Sequence, residues 1–192
     1  MSARLDTLQS VVATLYAKKN PERDNWSDWM YDNHVRLVSD TTLELCKKYD
    51  ADPDIACAAA LLHDIADTVV SRFASDHKER SAIIAHEALT SAYSPEEIII
   101  IEDILETHSC RDGHTPTSLE GKIMATSDAL VHLKTDFYVH ALWSHGATKT
   151  LEEAKNFALG KIERDLNQKI FFDEEKSTSQ HHYEILREVF SR

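Results

Sequence analysis

The sequence predicts an all-α fold, and three observations support this prediction. Only 4 Gly and 4 Pro occur among the 192 residues. Runs that alternate apolar and polar residues, as half-buried strands do, are nearly absent. The prolines stand where helices would begin, because Asp52-Pro53 and Ser94-Pro95 each place an N-capping side chain before a proline at the first helical position. Glu97 adds a capping box with Ser94.

Helical periodicity and capping residues divide the chain into predicted helices. They cover about residues 3–18, 27–49, 53–66, 78–92, 95–108, 118–142, 149–169 and 179–191. A turn at Asn20-Pro21 ends the first helix, and a capping box in residues 117–120 begins the sixth. Turn residues predict loops at 67–77, 109–117 and 173–178.

No strong linker and no internal repeat divides the chain. We therefore expect a single domain over residues 1–192. Its core would cover about residues 27–142, and a helical C-terminal extension would follow at about 143–192.

Composition excludes several classes of partner. The formal net charge of -12 disfavours polymeric nucleic acid, since affinity for a phosphate backbone comes largely from basic residues. No apolar run approaches the roughly 20 residues that span a bilayer, and the N-terminus has no signal-peptide pattern. Cys46, Cys57 and Cys110 are odd in number and widely spaced, which is typical of free thiols. We expect a cytoplasmic protein that does not bind membranes.

The segment from Ala56 to Leu62 is apolar on every face and runs directly into His63-Asp64. A carboxylate and an imidazole at the end of a buried helix need compensation, because an unpaired buried charge is costly. A bound metal would supply it, and so would a hydrogen-bonded His-Asp pair. The dipeptide alone does not decide between the two.

His34 and Asp128 favour the metal. His34 lies on the preceding long helix, and Asp128 lies in a stretch of mainly apolar and small residues. With His63 and Asp64 they make two imidazoles and two carboxylates from three helices. Such a mixed nitrogen and oxygen set suits a divalent ion such as Mn, Fe, Co, Ni, Zn or Mg.

The order of these four residues, with the sequence around them, resembles the HD-domain superfamily of metal-dependent phosphohydrolases. The matching segments are 59–65, 80–82, 106–109 and 116–123, and the resemblance covers about residues 27–135. It implies an all-α core of about five helices around His34, His63, Asp64 and Asp128 as metal ligands. It also implies hydrolysis of phosphate esters or anhydrides, often of nucleotides.

Two positions depart from the pattern of that superfamily. Many relatives carry a basic residue three places after the first histidine, where this chain has Leu37. Close relatives often have an aspartate two places before the final ligand, where this chain has Thr126. These changes affect the expected substrate and leave the four ligands in place.

The resemblance also suggests catalytic residues. Asp67 lies one helical turn after His63, where a carboxylate can assist the attack of water. The sequence is equally compatible with Asp67 as a solvated residue at the end of the helix. Two-metal members hold a second ion with extra histidines, for which His77 and His108 are the candidates. We predict a single ion, with His108 orienting phosphate or protonating the leaving group.

Basic residues could contact the phosphate, since arginine binds phosphate in a bidentate manner. The candidates are Arg80, Arg111, Lys122 and Lys161, of which we select Arg111 and Lys122 as substrate-binding residues. Surface ion pairs are the competing interpretation for each. His86, His114, His181 and His182 are expected at the surface.

The predicted function is hydrolysis of a small phosphorylated substrate, with a nucleotide expected. Two other functions fit the same residues. One is a non-catalytic module that binds metal and nucleotide and signals through the C-terminal helices. The other is an HD-type di-iron oxygenase. A homodimer formed through the C-terminal helices is also compatible with the sequence.

Overall fold

The described part of the chain is entirely helical. A computed structural model describes residues 2–145 and 149–192, and within these residues no strand is present. The all-α prediction is therefore confirmed. The α-helices are α1 Ala3–Ala17, α2 Ser27–Met30, α3 Arg36–Tyr49, α4 Pro53–Leu62, α5 His77–Leu89, α6 Pro95–Thr107, α7 Leu119–Lys134, α8 Phe137–His145, α9 Leu151–Arg164 and α10 Asp173–Phe190.

Three short segments of other helical types connect or extend these helices. A π-helical segment, Tyr31–Val35, joins α2 to α3, so the predicted helix at 27–49 is continuous. A 3-10 segment, Ile65–Thr68, follows α4, and a second π-helical segment, Asp165–Lys169, follows α9. Each of these segments carries a histidine or a charged residue: His34 in the first, Asp67 in the second, and Asp165 and Lys169 in the third.

Most of the predicted helix starts are formed by the expected caps. Asp52 accepts a hydrogen bond from the amide of Asp54, and Ser94 and Glu97 form the full capping box. The capping box predicted within 117–120 is not formed, because the side chain of Ser118 accepts from the amide of Gly121 instead. Glu120 accepts a hydrogen bond from the amide of Asp52, which links the starts of α4 and α7.

The prediction of one helix over 118–142 was wrong at one point. The chain leaves the helical conformation at Thr135, which has an extended backbone between α7 and α8. The Thr135 hydroxyl donates to the carbonyl of Val131 and accepts from the amide of Phe137. This side chain therefore replaces the backbone hydrogen bonds that a continuous helix would have made.

The predicted loop at 173–178 is also helical, since α10 begins at Asp173. Acidic residues fill its first turn, where negative charge stabilises the positive end of a helix. One of them, Glu175, is buried and accepts a hydrogen bond from Lys48 at 2.7 Å. The acids that look like a loop in the sequence thus begin α10 and attach it to α3.

The centre of the bundle is α4, which contacts α1, α3, α6 and α7. Its residues from Ala56 to Leu62 are fully buried, and its small side chains let the neighbouring helices approach closely. The second π-helical segment and α10 pack on α7. The end of α4 and the middle of α7 therefore meet inside the protein, where the four predicted ligands lie. Among the described residues, no helix has the length and apolarity to cross a membrane.

Candidate metal centre

The end of α4 fixes the direction of His63. Helix α4 stops at Leu62, and His63-Asp64 form a turn before the 3-10 segment. The His63 Nδ1 lies 2.7 Å from the carbonyl oxygen of Ala60. A carbonyl can only accept, so Nδ1 carries the proton and donates it. In the neutral ring, the lone pair of His63 Nε2 is then directed into the site, as a metal ligand requires.

The structure brings the four predicted ligands together in a buried cluster. The Nε2 atom of His34 lies 3.0 Å from Nε2 of His63, 3.3 Å from Oδ1 of Asp128 and 3.6 Å from Oδ2 of Asp64. The Nε2 atom of His63 lies 3.4 Å from Asp64 Oδ2 and 3.7 Å from Asp128 Oδ1. Ligands at about 2.1 Å from one ion are roughly 3.0–3.4 Å apart, so most of these distances fit a shared ion.

The hydrogen bonding of the cluster also fits a cation. Asp128 Oδ1 is buried and has no hydrogen-bond partner among the described residues, although imidazole nitrogens surround it. Burial lowers the pKa of His34, which favours its neutral, ligating form. Burial alone would raise the pKa of Asp64, but Arg72, His63 and His34 hold it well below its usual range. The cluster therefore combines the lone pairs of the imidazole nitrogens with the negative charge of the carboxylates, as a cation site requires.

His132 lies one turn after Asp128 on α7 and was not among the ligands predicted from the sequence. Two overlapping groups have metal-ligand spacing: His34, His63 and Asp64 form one, and His34, Asp128 and His132 form the other. The Nε2 atom of His132 lies 3.0 Å from Asp128 Oδ1, and its ring stacks on His34. Burial lowers the pKa of His132 to about 3, so this ring is neutral. The spacing of four residues from Asp128 was a signal that could have found it.

The sequence also did not indicate a row of charged side chains spaced four residues apart in the C-terminal part of the chain. Its members are Lys161, Asp165 and Lys169, of which Lys161 is half-buried and the other two are buried. Lys161 lies 3.3 Å from His132 Nδ1, and Asp165 Oδ2 lies 3.0 Å from the same atom. Lys169 is 2% exposed, donates to Asp128 Oδ2 and lies 3.9 Å from Asp165 Oδ1. Burial alone would lower the pKa of Lys169, but the two carboxylates raise it, so this ammonium is charged.

The Asp67 side chain is buried, and both of its carboxylate oxygens accept hydrogen bonds. Its carboxylate accepts hydrogen bonds from Trp26 Nε1 at 3.2 Å, from Arg72 Nε at 3.0 Å and from His77 Nε2 at 2.8 Å. Its backbone carbonyl accepts from the hydroxyl of Ser27 at 2.6 Å. The alternative interpretation, that Asp67 is a solvated residue at a helix end, is therefore wrong, since Asp67 is 1% exposed. Its predicted role in activating water stays a prediction.

The two histidines considered for a second ion lie beside the cluster. His77 donates from Nε2 to Asp67, and the ring of His108 lies 5.6 Å from that of His63 in an edge-on arrangement. His108 Nδ1 donates to the carbonyl of Leu105 at 2.7 Å, and burial lowers its pKa to about 4. Among the described residues, neither histidine belongs to a group with metal-ligand spacing. A single ion stays our prediction.

A cavity of about 1020 Å³ opens onto the cluster. His63, Asp64 and Arg72 line its inner end, and Arg111 and Lys161 also line it. Its apolar wall includes Phe73, Phe137, Tyr138, Leu142 and Phe157. Lys122 and Arg80 do not line this cavity. Lys122 lies in the first turn of α7, and Arg80 pairs with Asp76 and Glu22.

Of the four histidines predicted at the surface, three are exposed and one is half-buried. His86 is exposed and pairs with Glu102, and His181 is exposed. His114 is exposed and lies at the edge of the cavity. His182 is half-buried. None of the four belongs to a described group with metal-ligand spacing.

The fold and the cluster define a class of helical protein with a histidine–aspartate metal centre at the end of a buried helix. A family model described as the HD domain matches residues 31–132, more than half of the chain. The chain therefore belongs to the HD domain family, within a superfamily of metal-dependent phosphohydrolases. Comparisons with curated proteins and with solved structures gave no match. The matched region ends at His132, so the row from Lys161 to Lys169 lies outside it.

Proposed function

We propose that the protein is a phosphohydrolase that uses one divalent metal ion to cleave a small phosphorylated substrate, with nucleotides as the substrate class. The observation that carries the proposal is the close approach of His34, His63, Asp64 and Asp128, of which His63 and Asp64 line the cavity. Family membership supports hydrolysis of phosphate esters or anhydrides as the type of reaction.

In this proposal the four residues hold the ion, and the surrounding protein keeps them in place. The Ala60 carbonyl orients His63, and Lys169 binds the Asp128 oxygen that faces away from the histidines. A bound divalent ion lowers the pKa of water and polarises a phosphoryl oxygen, which are the two effects that hydrolysis needs.

In this proposal His108 orients the attacking water by accepting its hydrogen bond at Nε2. Its Nδ1 proton is donated to Leu105, so the lone pair of Nε2 is available, and the ring lines the cavity next to His63. Protonation of the leaving group by His108 stays a prediction, and it would require a second proton on Nε2, since Nδ1 donates to Leu105. Asp67 contributes by orienting His77 and Arg72 through its hydrogen bonds.

The cavity supports a substrate with one anionic and one apolar part. His63, Asp64 and Arg72 form a charged part of the lining next to the cluster, and aromatic side chains such as Phe73, Phe137 and Phe157 also line the cavity. A phosphate would lie at the charged end, and a planar base would pack on the aromatic rings. Arg111 lines the cavity and remains a proposed substrate contact, whereas Lys122 does not line it.

The test is turnover with a reconstituted metal. The full chain is stripped with a chelator, loaded with Mn, Fe, Co, Ni, Zn or Mg in turn, and assayed for phosphate release from nucleotides and simple phosphate esters. Asp128→Asn should abolish turnover, and Asp32→Asn, an exposed aspartate, should leave it unchanged. Metal occupancy without turnover on any substrate would overturn the proposal. Tight nucleotide binding without turnover would favour the non-catalytic binding module, and oxygen uptake by an iron-loaded form would favour the oxygenase.

A further inference from the structure

Arg72 lies between the metal centre and the cavity. Its Nη2 atom is 2.8 Å from Oδ2 of Asp64, one of the proposed ligands. Its Nε and Nη2 atoms also donate to Oδ2 of Asp67. The guanidinium therefore provides positive charge directly beside the ion's proposed position, at the inner end of the cavity that it lines.

The position of this guanidinium is fixed from several sides. The backbone amide of Arg72 donates to Asp24 at 3.0 Å, and the neighbouring Ser71 hydroxyl donates to the same oxygen at 2.9 Å. The guanidinium carbon lies 5.1 Å from the centre of the Trp26 ring, in a cation–π contact. Trp26 and Arg72 both donate to Asp67, so both side chains are attached to one buried carboxylate.

One edge of the guanidinium is left for a ligand. Nε and Nη2 are engaged by Asp64 and Asp67, whereas Nη1 has no hydrogen bond or ion pair with any residue in the described part of the chain. The side chain is 26% exposed and lines the cavity. An arginine held by carboxylates on one edge can still donate to a phosphate oxygen from the other.

We propose that Arg72 is a phosphate-binding residue, and that it acts as the second positive charge of a centre with one metal ion. This inference rests on the proposed function and names a residue that the sequence did not indicate. Two-metal phosphatases clamp the phosphoryl group between two ions about 3.5–4 Å apart. Here the guanidinium of Arg72, beside Asp64, would replace the second metal ion as a positive charge on the phosphoryl group.

The other cations that line the cavity are less suited to this role. Lys78 is paired with Glu106 at the surface, and Lys161 contacts His132 and the ring of Phe137. Arg111 is exposed, and within the described part of the chain it forms no ion pair with a proposed metal ligand. Among the described residues, Arg72 is the cation that both lines the cavity and pairs with a proposed ligand, so a phosphate on the ion would lie within its reach.

The experiment measures phosphate and metal binding separately. Full-length protein is loaded with Mn²⁺ and titrated with inorganic phosphate by calorimetry, and Mn²⁺ affinity is measured in parallel. Arg72→Gln should weaken phosphate binding by about 10–100-fold, the usual effect of losing a charge-assisted hydrogen bond. Its Mn²⁺ affinity should be equal to or higher than that of the wild type, because a positive charge beside Asp64 has been removed.

Two further variants keep the result interpretable. Arg80→Gln removes an arginine that pairs with acids outside the cavity, and it should leave both affinities unchanged. Arg72→Lys keeps a charge without the planar fork, and it should lose less phosphate affinity than Arg72→Gln. If Arg72→Gln does not fold, Arg72→Lys decides the matter, with a loss of about tenfold expected.

The inference is overturned if Arg72→Gln binds phosphate with the affinity of the wild type. If Arg72→Gln does not fold, the same result in folded Arg72→Lys overturns it. A loss of Mn²⁺ binding in the same variant also overturns it, since Arg72 would then support the ligands. These outcomes differ from failure of the proposed function. If the wild type binds phosphate through Arg72 but hydrolyses no substrate, the hydrolase proposal falls and the role of Arg72 stands.

Discussion

Replacing Lys169 by methionine should destabilise the protein strongly, because its ammonium is the buried counter-charge of two carboxylates. It donates to Asp128 and lies 3.9 Å from Asp165, and all three side chains are almost fully buried. Removing one partner of a buried ion pair costs about 3–5 kcal/mol, since the remaining charge has no compensation. That is a large part of the roughly 5–15 kcal/mol that stabilises a typical domain.

The assay is urea unfolding of the metal-free protein, followed by circular dichroism. Lys169→Met should lower the free energy of unfolding by about 3–5 kcal/mol. Lys134→Met is the matched control, because Lys134 is an exposed lysine at the end of α7 and its loss should change stability by no more than about 0.5 kcal/mol. A loss below about 1 kcal/mol in Lys169→Met would show that Asp128 does not depend on this ammonium.

Three other results are expected. Asp64→Ala should abolish both metal binding and turnover, and retention of a stoichiometric ion in dialysis would contradict the ligand assignment. Gly121→Ala should lower the melting temperature, since a Cβ there would lie 2.8 Å from Pro116 Cβ and overpacking costs about 1–3 kcal/mol; an unchanged melting temperature would refute this contact. The metal-free protein should lose stability as the pH falls from about 6.5 towards 4. Burial lowers the pKa of His132 to about 3 and that of His108 to about 4. The same histidines bind protons near pH 6.5 in the unfolded chain, so acid favours unfolding. A melting temperature that stays constant from pH 7 to about 4.5 would show that these rings are not buried in the neutral form.

The sequence was sufficient for the features that depend on local signals. Proline and capping residues located the starts of α4 and α6, and the all-apolar stretch before His63 indicated a buried helix. The four predicted ligands could be named because each lies in a recognisable segment. The structure then places the Nε2 atoms of His34 and His63 within 3.7 Å of an oxygen of each carboxylate.

The features that the sequence did not reveal depend on contacts between distant segments. Lys169 and Asp165 look like charges of an amphipathic surface helix, and only the packing of their segment on α7 shows that they are buried. Arg72 lies in a segment with no helical periodicity, so its approach to Asp64 could not be read from spacing. The acidic residues at 173–175 predict a loop by composition, but they form the first turn of α10, because composition does not distinguish a loop from a helix start.

X-ray absorption at the metal edge of the Zn²⁺-loaded protein tests the central claim most directly, because it reports the ligands of the ion. The proposed centre predicts nitrogen and oxygen ligands at about 2.0–2.2 Å, with the scattering pattern of two imidazoles. Asp64→Ala should remove this signal. A sulfur ligand at about 2.3 Å, or a spectrum without imidazole, would contradict a centre built from His34, His63, Asp64 and Asp128.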